Sequence, residues 1–228
     1  MSADAAPPRK LIIAIAGPSG AGKGTIARAL ASRLSYRHVD TGAMYRAIGW
    51  KALREGMQLD DEAAVAALSE RAVLDVEDDR VAIDGDELGR AIRTPEMDRA
   101  AATVARHPAV RRALVSRQRA VGARGGVVME GRDIGTVVFP DADVKIYLDA
   151  SPEERARRRA NDPAHRAPAG RVLSDVATAL AERDKSDSTR AVSPLAIAAD
   201  AVQIDTTGLT VEAVVDRVMA AVESVKRP

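Results

Sequence analysis

The 228-residue chain has no cysteine, which excludes disulfides, cysteine-ligated zinc and a thiol nucleophile. Aromatic side chains make up only 2% of it against an apolar fraction of 46%. The core is therefore built mostly from Ala, Val, Leu and Ile, and a platform for stacking bases is missing. Net charge is nearly absent too: six Lys and 28 Arg face 33 acids, leaving +1. Nothing in that balance draws the whole protein to nucleic acid or to an anionic membrane. The longest apolar run near the N-terminus, LIIAIAG, is too short to span a bilayer. No small-residue cleavage pattern follows it, so a cytoplasmic location is expected. His38, His107 and His165 are scattered without ligand spacing, and no structural metal is expected. Residues 1–9 read as a short disordered tail. The excess of Arg over Lys is compatible with compositional drift, so functional meaning attaches only where arginines cluster.

A chain of this length fits one domain carrying insertions. Residues 11–16 form an apolar run bounded by glycine, which suits a strand buried on both faces. A helix is expected from Lys23 to Leu34. Further strand candidates are His38–Val39, Val127–Met129, Val144–Leu148 and Val202–Ile204, mostly separated by helical patterns. Such alternation predicts an α/β fold with a parallel sheet covered on both faces. Two segments break the rhythm. Residues 73–92 alternate like strands, with turn signals at Asp78-Asp79 and Gly85-Asp86, and predict a small antiparallel hairpin unit on a flap. Residues 151–190 open on Ser151-Pro152-Glu153-Glu154, a capping box with proline at the first helical position. The arginine-rich ERARRR follows, then the breaker stretch DPAHRAPAG, then a second helix from about Ser174. Two helices hinged by a Pro/Gly loop have the shape of a lid.

The chemistry starts at residues 17–25, Gly17-Pro18-Ser19-Gly20-Ala21-Gly22-Lys23-Gly24-Thr25. Gly17, Gly22 and Lys23 satisfy G-x-x-x-x-G-K, although the strict motif places Ser or Thr directly after the lysine and this chain delays it to Thr25. The glycines let successive N–H groups face a phosphate, and the helix N-terminus adds positive potential. Lys23 then brings a full charge to the β/γ-phosphates of a nucleoside triphosphate, while Thr25, directly or through water, can reach Mg²⁺. No guanine-reading N-K-x-D element is present, and the chain is short for an oligomeric ATPase. A kinase of a small acceptor is favoured.

Three constellations bear on the acceptor. Thr41, in Asp40-Thr41-Gly42-Ala43-Met44-Tyr45-Arg46, is placed to cap a helix running to about Glu55, with Gly56 as its stop. Arg46, one turn in, can point back to an anion at that helix terminus. Glu130-Gly131-Arg132-Asp133 follows the apolar strand GVVM, where ligands bind in parallel sheets, and Glu130 can organise Mg²⁺ and its waters. Arg183, Asp187 and Arg190 share one helical face. Arg155, Arg157, Arg158 and Arg159 outnumber Glu153 and Glu154 on their own turn, so unpaired charge and an anion beneath the lid are expected.

Together GPSGAGKGT, DTGAMYRA, IRTPE, GRDIGTVVFPDA, VKIYLDAS and RDKSDSTRAVSPL resemble the bacterial cytidylate kinase family, in order, from about residue 10 to 225. The resemblance implies one P-loop kinase domain over 1–228 with the three-layer nucleoside-monophosphate kinase fold. In that fold a five-stranded parallel sheet carries an acceptor-binding flap (40–112) with a small antiparallel β insert, and a short helical lid (151–190). It implies ATP as donor, Mg²⁺, and CMP or dCMP as acceptor, in a monomer without nucleic-acid or membrane partners. Thr41 would lie near the acceptor sugar, beside Tyr45. Arg183 and Asp187 would hold its hydroxyls. Arg46, Arg132 and Arg190 would surround its phosphate, and Arg111 and Asp133 would read the cytosine edge, whose donors and acceptors suit a carboxylate and a guanidinium. Lys23, Arg132, Arg158, Arg159 and Arg190 form the implied catalytic set. Some members place a base-contacting serine where this chain has Ala102-Thr103: either Thr103 replaces it or that hydrogen bond is absent. The rivals are a P-loop kinase of UMP, AMP or an alcohol, and a nucleotide-dependent switch. The arginine count opposes an alcohol acceptor, and the near-zero net charge and scarce aromatics oppose a nucleic-acid-binding regulator.

Overall fold

The run LIIAIA folds as β1 (Ile12–Ala16), and the glycine loop after it leads into α1 (Lys23–Leu34). β2 (Arg37–Asp40), α2 (Thr41–Arg54) and α3 (Glu62–Arg71) follow. Next come β3 (Leu74–Glu77), β4 (Arg80–Ile83), β5 (Asp86–Glu87) and one 3₁₀ turn at Gly89–Ile92. α4 (Pro95–Val104) and α5 (Pro108–Gly122) both start at a proline, whose missing N–H costs nothing there. After them lie β6 (Val127–Gly131), a π-type turn at Ile134–Val138 and β7 (Val144–Asp149). α6 (Pro152–Ala160), α7 (Leu173–Thr189), β8 (Val202–Asp205) and α8 (Val211–Lys226) complete the chain. This computed structural model describes residues 10–77, 80–162 and 172–226. The expected tail at 1–9, the turn at Asp78-Asp79 and the breaker stretch beyond Asp162 lie outside the described residues.

The main sheet has the order β2-β6-β1-β7-β8, and every neighbouring pair is parallel. Each strand candidate read from the sequence falls in it. β1 lies in the middle, which is why its sequence is apolar without alternation. Ile13 and Ile15, fully buried, pack with Ile26 and Leu30 of α1 and with Val214 and Val218 of α8. Ala14 faces the opposite layer, with Val39, Met129 and Ile134. Each such isoleucine contributes about 1.5–3 kcal/mol by burial. Register sets the polar ends side by side: Ala16 opposes Gly131, and Ile15 and Asp40 both oppose Glu130. All three strands thus deliver their next residues to one carboxyl-end edge, where the strand order changes direction.

The flap has its own core, in which Met44, Ile48, Leu68, Ile83, Ile92 and Leu114 draw together α2 to α5 and the small sheet. That sheet is the small antiparallel unit expected at 73–92, and it has three strands, β3-β4-β5. Its second turn lies one residue earlier than the sequence signal. Asp84 (φ 50) and Gly85 (φ 86) are its left-handed pair and Asp86 already belongs to β5, a geometry that matches the twist of the strands it joins.

Candidate active site

The loop between β1 and α1 is shaped by close approach. A Cβ on Gly17 would stand 2.0 Å from the Leu148 carbonyl oxygen, and one on Gly20 2.9 Å from Arg155 Cβ. Glycine therefore lets β7 and α6 press against the loop. Gly22 (φ 90) precedes α1 without a side-chain cap, and the first turn holds no acid, so its N–H groups are left for an anion. The Ser19 N–H already donates to a carboxylate, Asp184 Oδ1 at 3.2 Å. Arg155 pairs with the same aspartate and donates to the Ser19 carbonyl at 3.2 Å. Lys23 is buried, and its Nζ donates to the Pro18 carbonyl at 2.6 Å. Burial, and then the neighbouring Arg132, hold its ammonium well below the usual lysine range, with Glu130 pulling the other way. Thr25 is exposed on the first turn of α1. Glu130, at the end of β6, lies 3.3 Å from His38 Nε2. Its Oε1 would be 2.9 Å from a Cβ on Gly24, which gives the glycine after the lysine a physical reason.

At the end of β2 the cap is Asp40, not Thr41 as the sequence reading had it. The Asp40 carboxylate accepts the Ala43 N–H at 3.0 Å, while the Thr41 hydroxyl donates to the Glu130 carbonyl at 2.7 Å. The register of β2 against β6 decides this, since it brings Thr41 within reach of that strand end. Arg46 does turn back to the helix start, with Nη2 2.8 Å from Asp40 Oδ2, and Arg93 lies 3.6 Å away. Burial alone would raise the Asp40 pKa, but Arg46, Arg93 and the Ala43 N–H hold it down to about 2.

Deeper in the flap, Arg111 and Asp133 form a buried pair, and the Arg111 guanidinium lies 5.4 Å from the Tyr45 ring centre. Burial pushes the Tyr45 phenol up to about 12. The Thr103 hydroxyl donates to the Arg99 carbonyl of its own helix at 3.2 Å, and Ala102 has no polar group to offer. Arg132 Nε and Arg190 Nη1 flank Asp187 at 2.8 and 3.5 Å. Burial acts to raise the Asp187 pKa, and the surrounding arginines, Arg132 first, outweigh it and lower it.

The lid arginines are paired, against the expectation of free charge. Arg157 and Arg158 share Glu154 at 2.7 and 2.8 Å, while Arg155 reaches Asp184 on α7. Arg159 and Arg183 cross to Asp98 on α4, the latter at 3.0 Å. Arg158 also donates to the Thr206 hydroxyl at 2.8 Å and approaches the Ala21 carbonyl of the phosphate loop. Ser151 caps α6 by accepting the Glu154 N–H, but the other half of the box is missing. The Glu154 carboxylate turns to the arginines and the Ser151 N–H donates to Thr207. Sequence reasoning missed Asp98, Asp184 and the capping role of Asp40. Asp184, adjacent to Arg183, and Asp40, a good cap by residue type, carried local signals, and Asp98 carried none. Among the described residues no helix is long and apolar enough to cross a membrane.

Known proteins were compared with the chain. A family model described as cytidylate kinase matches residues 13–224. A cytidylate kinase of Solibacter usitatus is 46% identical over 217 residues, covering 95% of this chain and 94% of that protein. One from Desulfitobacterium hafniense is 49% identical, covering 93% and 92%. Among solved structures, a gluconokinase from Sinorhizobium meliloti covers 95% of this chain and 94% of its own at a TM-score of 0.51 and 14% identity, which is a likeness of fold alone.

Proposed function

The chain belongs to the cytidylate kinase family, and on that premise we propose that it transfers the γ-phosphoryl group of ATP to CMP and dCMP, giving ADP and CDP or dCDP. One observation supports a phosphate acceptor above all. Guanidinium groups from four separate elements (Arg46, Arg132, Arg159, Arg183 and Arg190) gather with carboxylate partners in one cleft, and Arg132 and Arg183 are close enough to depress the Lys23 ammonium.

In this reading an oxygen of the acceptor phosphate attacks the γ-phosphorus as the bond to the ADP oxygen breaks. A phosphate monoester has a second pKa near ~6, so it attacks without a general base. The protein's task is to offset repulsion between two polyanions, align them and exclude water. Lys23 and the loop 17–25 hold the donor phosphates. Arg46, Arg132 and Arg190 hold the acceptor phosphate, and Arg158 and Arg159 bring charge from the lid. Arg183 and Asp187 take the sugar beside Thr41 and Tyr45, and Arg111 with Asp133 reads the base. The Thr103 hydroxyl donates its proton inside α4 and keeps only acceptor capacity toward a base, so discrimination against UMP is assigned first to that Arg–Asp pair.

Among the described residues no three His, Cys, Asp or Glu converge as a metal cage. The Thr25 hydroxyl and Glu130 carboxylate at the head of α1 suit a cation shared with nucleotide phosphates. They would hold Mg²⁺, which when bound neutralises the β- and γ-oxygens. A monomer acting in the cytoplasm belongs to the same proposal. Coupled measurement of ADP release with CMP, dCMP, UMP and AMP tests it: turnover should depend on the cytosine acceptors, and acceptor-independent hydrolysis would refute it.

A further inference from the structure

Asp98 lies in the first turn of α4, outside every motif that pointed to the site. Arg159 of α6 pairs with its Oδ2. Its Oδ1 lies 3.0 Å from Arg183 Nη1 of α7 and 3.8 Å from Arg46 Nη1 of α2. The aspartate side chain is 15% exposed and the arginines between 8% and 19%. Asp40 pairs with Arg46 and Arg93 beside them, so in this group four guanidiniums share two carboxylates largely away from water, and two charges are left over. A phosphate monoester at neutral pH carries about −1.5 to −2, so it matches that excess. The arginines also crowd one another. Burial lowers the pKa of Arg183, Arg132 adds to the effect, and Asp98 opposes both. Burial likewise lowers that of Arg159, with Asp98 acting against it and Arg183 and Arg46 adding to the fall.

We propose that Asp98 is a positioning residue for the acceptor. Its carboxylate is the built-in counter-ion that holds Arg159 and Arg183 against α4 beside Arg46, and the acceptor nucleotide competes with it, by its phosphate at Arg46 and by its sugar at Arg183. This rests on the reading that these arginines serve the acceptor nucleotide. The consequence is an acceptor affinity set below what three uncommitted guanidiniums would give, with a cleft that stays assembled between turnovers.

The test compares Asp98→Asn, which removes the charge at constant shape, with Asp98→Glu, which keeps it. In Asp98→Asn the KM for CMP should fall about tenfold, the lower end of what one neighbouring charge does to an ionic equilibrium. The KM for ATP should stay within about twofold, and inhibition by inorganic sulfate, competitive with CMP, should strengthen in proportion. Asp98→Glu should remain near wild type. Without an anion Asp98→Asn should melt below wild type, and sulfate should restore it by more than it raises the parent. A CMP KM that is unchanged or raised in Asp98→Asn overturns the proposal. If the variant does not fold, recovery of folding by sulfate supports the proposal, and no recovery overturns it. Arg183→Ala separates the two levels. If it leaves acceptor KM unaltered, the assignment of these arginines to the acceptor has failed. If it weakens the acceptor while Asp98→Asn fails to strengthen it, only the role of Asp98 has failed.

Discussion

Replacing Lys23 by methionine should raise stability and abolish turnover, two effects of opposite sign from one substitution. The ammonium is buried and donates to the Pro18 carbonyl at 2.6 Å. Two carboxylates, Glu130 and Asp184, attract it, while two guanidiniums, Arg132 and Arg183, repel it. With those charges nearly cancelling, desolvation decides, at several kcal/mol per buried ion. The hydrogen bond returns about 1.5–3 kcal/mol. A methionine of similar length removes both, for a net gain of about 1–2 kcal/mol in the protein alone. At about 2–4 °C per kcal/mol for a domain of this size, the melting temperature should rise by about 3–6 °C. Linkage gives a second signature. The folded pKa lies below the ordinary 10.5, so between the two values the unfolded chain binds the extra proton and stability rises with pH. Wild type should therefore gain on Lys23→Met as pH climbs toward 10.5. Turnover with ATP and CMP should drop by about 10²–10⁵. A variant that melts below wild type at neutral pH without nucleotide would refute the desolvation argument. Near-normal turnover would refute the role of Lys23.

Asp40→Asn keeps an N-cap but removes the charge that Arg46 and Arg93 surround. With the carboxyl held at about 2 against an ordinary 3.8, the loss should be about 2 kcal/mol at neutral pH. That contribution is complete above 3.8 and disappears as pH falls through about 2, so denaturant midpoints of the two proteins should converge in acid. Gly17→Ala places a Cβ 2.0 Å from the Leu148 carbonyl oxygen. Because backbone cannot step aside like a side-chain tip, it should cost more than about 3 kcal/mol and lower the melting temperature by at least about 6 °C. Ala102→Ser supplies a hydroxyl where Thr103 keeps its own for the Arg99 carbonyl. It should raise the CMP:UMP ratio of kcat/KM by about tenfold, the value of one made hydrogen bond, and an unchanged ratio would show that the base does not reach α4.

Legibility followed the range of the forces involved. The strand at 12–16 was readable because a central parallel strand is buried on both faces and must be apolar throughout. That the polar residues after β1, β2 and β6 come together was readable because a parallel sheet delivers all its carboxyl ends to one edge. Spacing could not say who pairs with whom. Arg159 finds Asp98 across 61 residues and Arg132 finds Asp187 across 55, so counting charges on one helical turn wrongly left the lid arginines free. Asp40 and Thr41 are both good caps by residue type, and only the register of β2 on β6 chooses between them. β5 is two residues long, too short to show alternation, so the second turn signal alone pointed to a third strand in the insert.

The near-zero net charge and the arginine-rich cleft have one cause. A guanidinium taken out of water needs a carboxylate, and breaking such a buried pair costs about 3–5 kcal/mol. Most cleft arginines accordingly have an aspartate from another element: Asp40 for Arg46, Asp98 for Arg159 and Arg183, Asp133 for Arg111, Asp187 for Arg132, while Arg190 shares Asp187 from one turn back on its own helix. Those aspartates sit on α4, α7 and at the ends of β2 and β6, so the pairs tie α2, α5 and α7 to the sheet's edge and, through Asp98, α6 and α7 to α4. Positive charge largely offset by carboxylates a few ångströms away projects little field beyond the cleft. On the proposed function, a phosphate is then recognised by competing for guanidiniums already in place, at short range, rather than by attraction from solution. On that reading the same four acids that let an Ala- and Val-rich domain tolerate its arginines set how strongly an anion must bind to take them over.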